Sequence, residues 1–208
     1  MILEQLAVKY GTDKQMKYHN YIPVYEKLLE PHRNIYTNIL EIGVREGGSH
    51  KMWYDYFPHA MIYGVDNMSD VTVKDMSIMD YLCGIENDRI KIYIGSQTDE
   101  ALLNRHFDKE QLDLIIDDGG HHSKLHQECF KIMWPKLKQG HYYIIEDLAT
   151  CYMRDFREFD DVRSSTINWL QSIMQNKFFS YYMDDSCMKE IESVQIIGEL
   201  GIIKKRLV

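Results

Sequence analysis

Leu112-Asp-Leu-Ile-Ile-Asp-Asp-Gly-Gly-His-His122 is the stretch whose reading decides the fold. Four of its first five residues, Leu112, Leu114, Ile115 and Ile116, are apolar, the pattern of a strand buried on both faces. Two carboxylates, two glycines and two histidines follow at once. In an open α/β sheet, ligands sit just beyond the carboxyl ends of parallel strands, so the chemistry is expected here. Tyr142-Tyr143-Ile144-Ile145 reads as a second such strand, ending in Glu146-Asp147. If the two strands are neighbours, Asp118 faces Glu146 and Asp147, and several carboxylates converge beside a histidine.

Working outward, Ile2–Lys9 and His19–Leu29 have the spacing of short amphipathic helices, with Gly11 ending the first and Pro31 the second. Strands are predicted at Asn38–Gly43, Ala60–Asp66 and Arg89–Ile94, with 67–88 irregular or partly helical. Helices are predicted through Trp53, Tyr56 and Phe57, over Asp99–Phe107, and over Ser123–Leu137. The last of these should bury Leu125, Cys129, Ile132, Met133 and Leu137, with Gly140 breaking the chain before the fifth strand. Thr150–Arg163 reads as a mobile loop and Ser164–Met174 as a helix. Ser193–Ile197 and Gly201–Leu207 read as a closing antiparallel pair. The expected class is α/β, a doubly wound, mostly parallel seven-stranded sheet with an antiparallel C-terminal pair. One domain over 1–208 is expected, with a helical cap at 1–34 and a Rossmann-like core at 35–208.

Composition sets the outer limits. The 208 residues are 45% hydrophobic and 27% charged, with a net charge of −8 and a pI near 5.6, a balance that disfavours nucleic acid or an anionic membrane as partner. Cys83, Cys129, Cys151 and Cys187 are scattered, without Cys-x-x-Cys, and read as free thiols of a reducing compartment. The N-terminus lacks a basic start followed by a long apolar run, and no stretch reaches the length of a membrane span. A cytoplasmic location is expected.

Glu41-Ile-Gly-Val-Arg-Glu-Gly-Gly48 lies between the first strand and its helix. Gly43 permits a tight turn, and Gly47 with Gly48 would let a ligand approach a helix N-terminus. Arg45 stands where a dinucleotide fingerprint needs glycine against a pyrophosphate, so a nucleoside ligand without phosphates fits better than NAD. Asp66, ending the second strand, can accept from both ribose hydroxyls.

Leu40-Glu-Ile-Gly-Val and the acid at Asp66 resemble the class I S-adenosylmethionine-dependent methyltransferases. More narrowly, Lys9-Tyr-Gly-Thr-Asp-Lys14, Gly95-Ser-Gln-Thr-Asp99, Ile116-Asp-Asp-Gly-Gly-His121 and Ile145-Glu-Asp-Leu148 resemble the metal-dependent sugar O-methyltransferases of macrolide glycosides. Related sequences occur in polysaccharide-modifying loci. The likeness spans about Leu6 to Thr150. It implies Asp118, Glu146 and Asp147 as ligands of Mg²⁺ or Mn²⁺, His121 as general base, and a sugar or glycoside as acceptor. The cofactor site is expected to comprise Thr12, Glu41, Gly43, Arg45, Gly47, Ser49, Asp66, Gln97 and Asp117, with Thr12 placed near the methionine end and Gln97 near the adenine by position, and the resemblance implies a homo-oligomer.

The chemistry is coherent. All-carboxylate ligation suits a hard cation, which stabilises a sugar alkoxide as it forms, while an imidazole takes the proton. His122 is the rival to His121 as base. Lys14, His19, His122, Tyr152 and Arg154, with Arg157, are candidates for contact with the acceptor. Asp117 could instead cap the next helix, and Glu146-Asp147 alone could be a solvated strand end. A phenolic, catechol-like acceptor is an alternative within the class. A metal-dependent hydroxylase built on His121, His122 and Asp118 and a catalytically silent binding subunit are alternatives outside it.

Overall fold

The computed structural model describes residues 2–69, 78–156, 165–179 and 189–207. The chain forms two compact units, Met1–Ser96 and Gln97–Val208. Its strands make the expected seven-stranded, mostly parallel α/β sheet with an antiparallel C-terminal pair.

In the first unit α1 (Ile2–Tyr10) buries Leu3 and Ala7 and packs on α3 (Gly48–Tyr56). Gly11, at φ 69°, ends α1 with the amides of Gly11 and Thr12 returned to Val8 and Ala7, a left-handed helix stop. α2 runs over Ile22–Leu29, with proline in its first turn. It starts three residues later than the spacing predicts, because His19 and Tyr21 donate backward to Asp13 and Lys14 and close a turn first. Pro31 does not stop the chain but lies in a 3₁₀ turn, Glu30–His32. β1 (Asn38–Ile42), β2 (Met61–Asp66) and β3 (Ile90–Ile94) are parallel, with β2 central. Within the stretch expected to be irregular or partly helical, α4 spans Ile78–Cys83.

In the second unit Asp99 caps α5 (Glu100–His106) by accepting from the Leu102 amide at 2.9 Å. All six residues of β4 (Leu112–Asp117) are buried, as a parallel strand covered on both faces requires. α6 (Ser123–Met133) buries His126, Cys129, Phe130 and Met133. Leu125 and Ile132, expected inside, are only half-buried. The helix ends where Pro135 tightens the chain into a 3₁₀ turn, Trp134–Lys136. β5 is longer than predicted, Leu137–Ile145. Gly140, at φ 81°, lies inside it, where the pairing with β4 shifts register. β6 (Ile191–Ile197) and β7 (Leu200–Lys205) turn through Gly198, and β7 pairs antiparallel with both β5 and β6.

The expected loop at 150–163 begins instead as two 3₁₀ turns, Leu148–Tyr152 and Arg154–Phe156. Its remainder, with Arg157, lies outside the described residues. α7 spans Thr166–Phe179. A Cβ on Gly201 of β7 would come within 2.6 Å of Leu170, so glycine lets α7 lie against this strand. Cys83, Cys129 and Cys151 are free thiols; Cys187 is outside the described residues. Among the described residues no helix is long and apolar enough to cross a membrane.

Candidate functional site

The parallel register of β4 and β5 pairs Asp117 with Ile145, and the Glu146 amide continues the ladder to the Asp117 carbonyl at 3.0 Å. Asp118 and Glu146 are therefore adjacent strand ends. Neighbouring residues of an extended strand point to opposite faces. Asp147 breaks that alternation, because its backbone is left-handed (φ 55°, ψ 41°). His121 is left-handed too, at φ 55°. The outcome is a cluster in which donor atoms of Asp118, His121 and Asp147 lie within 4.8 Å of one another, while Asp118 also comes within 4.8 Å of Glu146. His121 Nε2 stands 3.7 Å from Asp147 Oδ2, and its buried Nδ1 has no hydrogen-bond partner among the described residues.

This donor set fits a hard divalent cation. Octahedral Mg²⁺ takes oxygen ligands at about 2.1 Å, and carboxylates gathered within 4.8 Å of one another are the donor type it prefers. Asp118 and Asp147 are half-buried and Glu146 is buried, so the carboxylates are partly shielded from water.

Asp117 differs from its neighbour. It is 0% exposed, and both oxygens are taken: Tyr143 Oη donates to Oδ2 at 3.0 Å and Gln97 Nε2 to Oδ1 at 3.1 Å. Burial pushes its carboxyl up to about 7, against the opposing hydrogen bond from Tyr143. The other end of the Gln97 amide accepts from the Gly120 amide at 2.8 Å. Gln97 and Asp117, expected as cofactor contacts, are hydrogen-bonded to each other and brace the turn that carries Asp118 and His121.

His122 is half-buried, with its ring against Phe156 at 5.7 Å, and His121 meets the same ring edge-on at 6.0 Å. His126, one helical turn beyond His122, is fully buried with Nδ1 2.9 Å from Thr166 Oγ1. Burial lowers its pKa to about 3, so it is neutral. Among the described residues no donor cluster unites His121 with His122. Tyr152 and Arg154 are exposed, as contacts to an acceptor would require.

In the first unit the turn after β1 is built on Asp66. Its Oδ2 accepts from the amides of Val44 and Arg45 at 2.6 and 3.0 Å, and its Oδ1 from Met68 at 2.6 Å. A carboxylate has about four acceptor directions, and three of those of Asp66 accept from the turn. Arg45 has the positive φ (47°) for which glycine is favoured. Its guanidinium projects into solvent, 3.4 Å from Asp13. Gly43 (φ 89°) and Gly47 (φ 71°) are left-handed as well. Gly48 is explained by packing, since a Cβ there would sit 2.9 Å from the Tyr10 carbonyl. Ser49 is buried in the first turn of α3, and Thr12 is buried with its carbonyl accepting from Gln15 at 2.8 Å.

Glu41, expected to meet the cofactor, and Lys14, expected to meet the acceptor, form a buried ion pair at 3.0 Å, 0% and 1% exposed. Trp53 Nε1 donates to Glu41 Oε2 at 2.9 Å, and His50 Nδ1 lies 3.6 Å from the same oxygen. Burial holds the His50 pKa down. The pair fastens the segment after α1 to β1. His19 is exposed and stacks on Tyr21 at 5.2 Å.

Sequence reasoning missed Tyr143, which reads as one more apolar strand residue, and Thr150, three residues past Asp147. The hydroxyl of Thr150 reaches the Asp147 carbonyl at 2.7 Å and the His121 carbonyl at 3.2 Å. Its only sequence signal is the i, i+3 spacing of a threonine after an aspartate, which is common in turns.

No family model matches the chain. Among curated proteins it is similar to the 8-demethyl-8-(2-methoxy-α-L-rhamnosyl)-tetracenomycin-C 3′-O-methyltransferase of Streptomyces olivaceus, at 34% identity over 158 residues, covering 72% of this chain and 37% of that protein. It is also similar to the mycinamicin VI 2″-O-methyltransferase of Micromonospora griseorubida, at 33% identity over 162 residues, covering 74% of this chain and 38% of the relative. Its span is thus well under half the length of these curated relatives. Among solved structures it resembles the MycE methyltransferase of the mycinamycin biosynthetic pathway in complex with Mg and SAH. The TM-score is 0.83 at 25% identity, covering 99% of this chain and 55% of that one.

Proposed function

We propose that this chain, a homologue of sugar O-methyltransferases of natural-product pathways with their Rossmann-like fold, is a divalent-cation-dependent methyltransferase domain acting on a hydroxyl of a sugar or glycoside. S-adenosylmethionine is the methyl donor and Mg²⁺, or Mn²⁺, the cation. The observation that carries this reading is the convergence of Asp118, His121 and Asp147 at two adjacent strand ends, with Glu146 beside Asp118.

In this reading Asp118, Glu146 and Asp147 would hold the cation, which when bound would stabilise negative charge on the acceptor oxygen. His121 takes the hydroxyl proton, and Asp147, 3.7 Å from Nε2, stabilises the resulting imidazolium. The left-handed backbone at His121 aims the ring at the cluster, while Phe156 limits its swing. The turn around Gly43, fixed by Asp66, would hold the donor. Tyr152 and Arg154 contact the acceptor. A glycoside is favoured over a phenol because the named acceptors of both curated relatives are glycosides.

A hydroxylase site of two histidines and a carboxylate is disfavoured, since His121 is the histidine of the Asp118 cluster and the His122 ring lies against Phe156. The test is calorimetric titration with S-adenosylmethionine and S-adenosylhomocysteine, with and without Mg²⁺, followed by methyl transfer to a panel of glycosides. Micromolar binding supports the reading. Absence of binding to both ligands in the presence of metal refutes it.

A further inference from the structure

Two residues of the cluster, His121 and Asp147, have left-handed backbones, a conformation that side chains with a Cβ disfavour and that persists only when surrounding structure imposes it. The same buried threonine meets both. Thr150 Oγ1 lies 2.7 Å from the carbonyl of Asp147 and 3.2 Å from that of His121, 29 residues away in sequence. The Thr150 amide donates to the Asp147 carbonyl as well, at 3.0 Å. A hydroxyl has one hydrogen to give, so that hydrogen is shared between the two carbonyls.

We propose that Thr150 is a positioning residue, a clamp that holds the His121 and Asp147 backbones in the orientation the cluster needs. The proposal rests on the metal-dependent reading above. A carbonyl held in place fixes its peptide plane, and the peptide plane fixes the direction in which Cβ leaves the backbone. Thr150 thereby sets how the imidazole and the carboxylate approach each other without touching cation, donor or acceptor. The turn at Leu148–Tyr152 supplies its location, and burial keeps water from competing for the two carbonyls.

The experiment compares Thr150→Val, which keeps the shape and deletes the hydroxyl, with Thr150→Ser, which keeps the hydroxyl. Should the valine variant fail to fold by circular dichroism, Thr150→Ala takes its place. The first readout is Mn²⁺ affinity by calorimetry without any methyl donor. The second is the imidazole ¹H–¹⁵N spectrum of the metal-free protein, with His121 assigned through His121→Gln. The valine variant should bind Mn²⁺ about tenfold more weakly, the usual scale for a partner that orients a ligand, and its His121 signal should move. The serine variant should bind within twofold of wild type with its spectrum unchanged. Wild-type behaviour of valine in both readouts overturns the clamp, as does an equal loss in serine, which would point to packing. Wild-type protein that takes up no Mn²⁺ overturns the metal-dependent reading instead. The imidazole spectra then still decide the clamp, for it if only valine shifts the signal and against it otherwise.

Discussion

Replacing Lys14 with methionine tests the buried polar core of the first unit. The ammonium lies 3.0 Å from Glu41, with both side chains out of water. Methionine nearly matches the volume, so the lost quantity is the charge that compensates the carboxylate. Glu41 keeps the Trp53 indole N–H at 2.9 Å but faces a neutral histidine, and a buried charge stripped of its partner costs about 3–5 kcal/mol. A domain of this kind has roughly 5–15 kcal/mol in total, so the variant should be severely weakened but foldable. Glu41→Gln still accepts from Trp53 and instead removes the carboxylate charge from beside the ammonium. The double variant removes both charges and should recover about 2 kcal/mol or more of the summed single losses. Urea unfolding with linear extrapolation measures each corner of this cycle. His50 adds a pH signature, because the nearby Lys14 charge helps hold its pKa down. With Lys14 gone, His50 protonates more readily and can pair with Glu41, so the Lys14→Met penalty should shrink from pH 8 to pH 5.5. A penalty below about 1 kcal/mol, or a double variant additive to within about 0.5 kcal/mol, would refute the reasoning.

Asp118→Asn should weaken Mg²⁺ binding and methyl transfer at least tenfold while leaving S-adenosylhomocysteine affinity within about twofold; unchanged turnover would remove Asp118 from the ligand set. His121→Ala should lower the rate by about 10²-fold or more with metal still bound, and if His122→Ala does this instead, the base is the neighbouring residue. His126, with a folded pKa of about 3 against 6.5 in the free side chain, is a group that the unfolded chain protonates first. Its contribution to stability is full above pH 6.5 and is lost on acidification, by up to about 1.4 kcal/mol per pH unit. Asp117, raised from 3.8 to about 7, acts in the opposite sense and loses stability as pH rises through that window. His126→Gln should therefore shift the stability difference between pH 5 and pH 7 in favour of pH 5, by up to about 2 kcal/mol. Urea midpoints at the two pH values measure it, and an unchanged difference would count against a neutral buried His126.

Much of this was written in the chain. The apolar run of β4 and the alternation of β3 are local patterns, so strand identities and the α/β class followed from sequence. The strand-end acids Asp118, Glu146 and Asp147 were legible for the same reason, as an abrupt change from apolar to acidic marks where a buried strand meets solvent. Boundaries were less legible. Gly140 reads as a break, yet it lies inside β5, because a register shift against β4 absorbs its conformation.

What the tertiary structure alone decided is which polar residues face inward on one another. Lys14 and Glu41 are 27 residues apart, and no local pattern announces that they share a buried pair. Asp117 and Asp118 are adjacent and chemically identical in sequence. Packing gives the first to Tyr143 and Gln97, with its charge suppressed, and leaves the second in the cluster. The clamp from Thr150 to His121 needs two turns 29 residues apart brought together. Periodicity reports which face of a strand or helix is buried, but only the packed chain sets which distant side chain completes a hydrogen bond there, and that is what separates the carboxylate buried under Tyr143 and Gln97 from those gathered in the cluster.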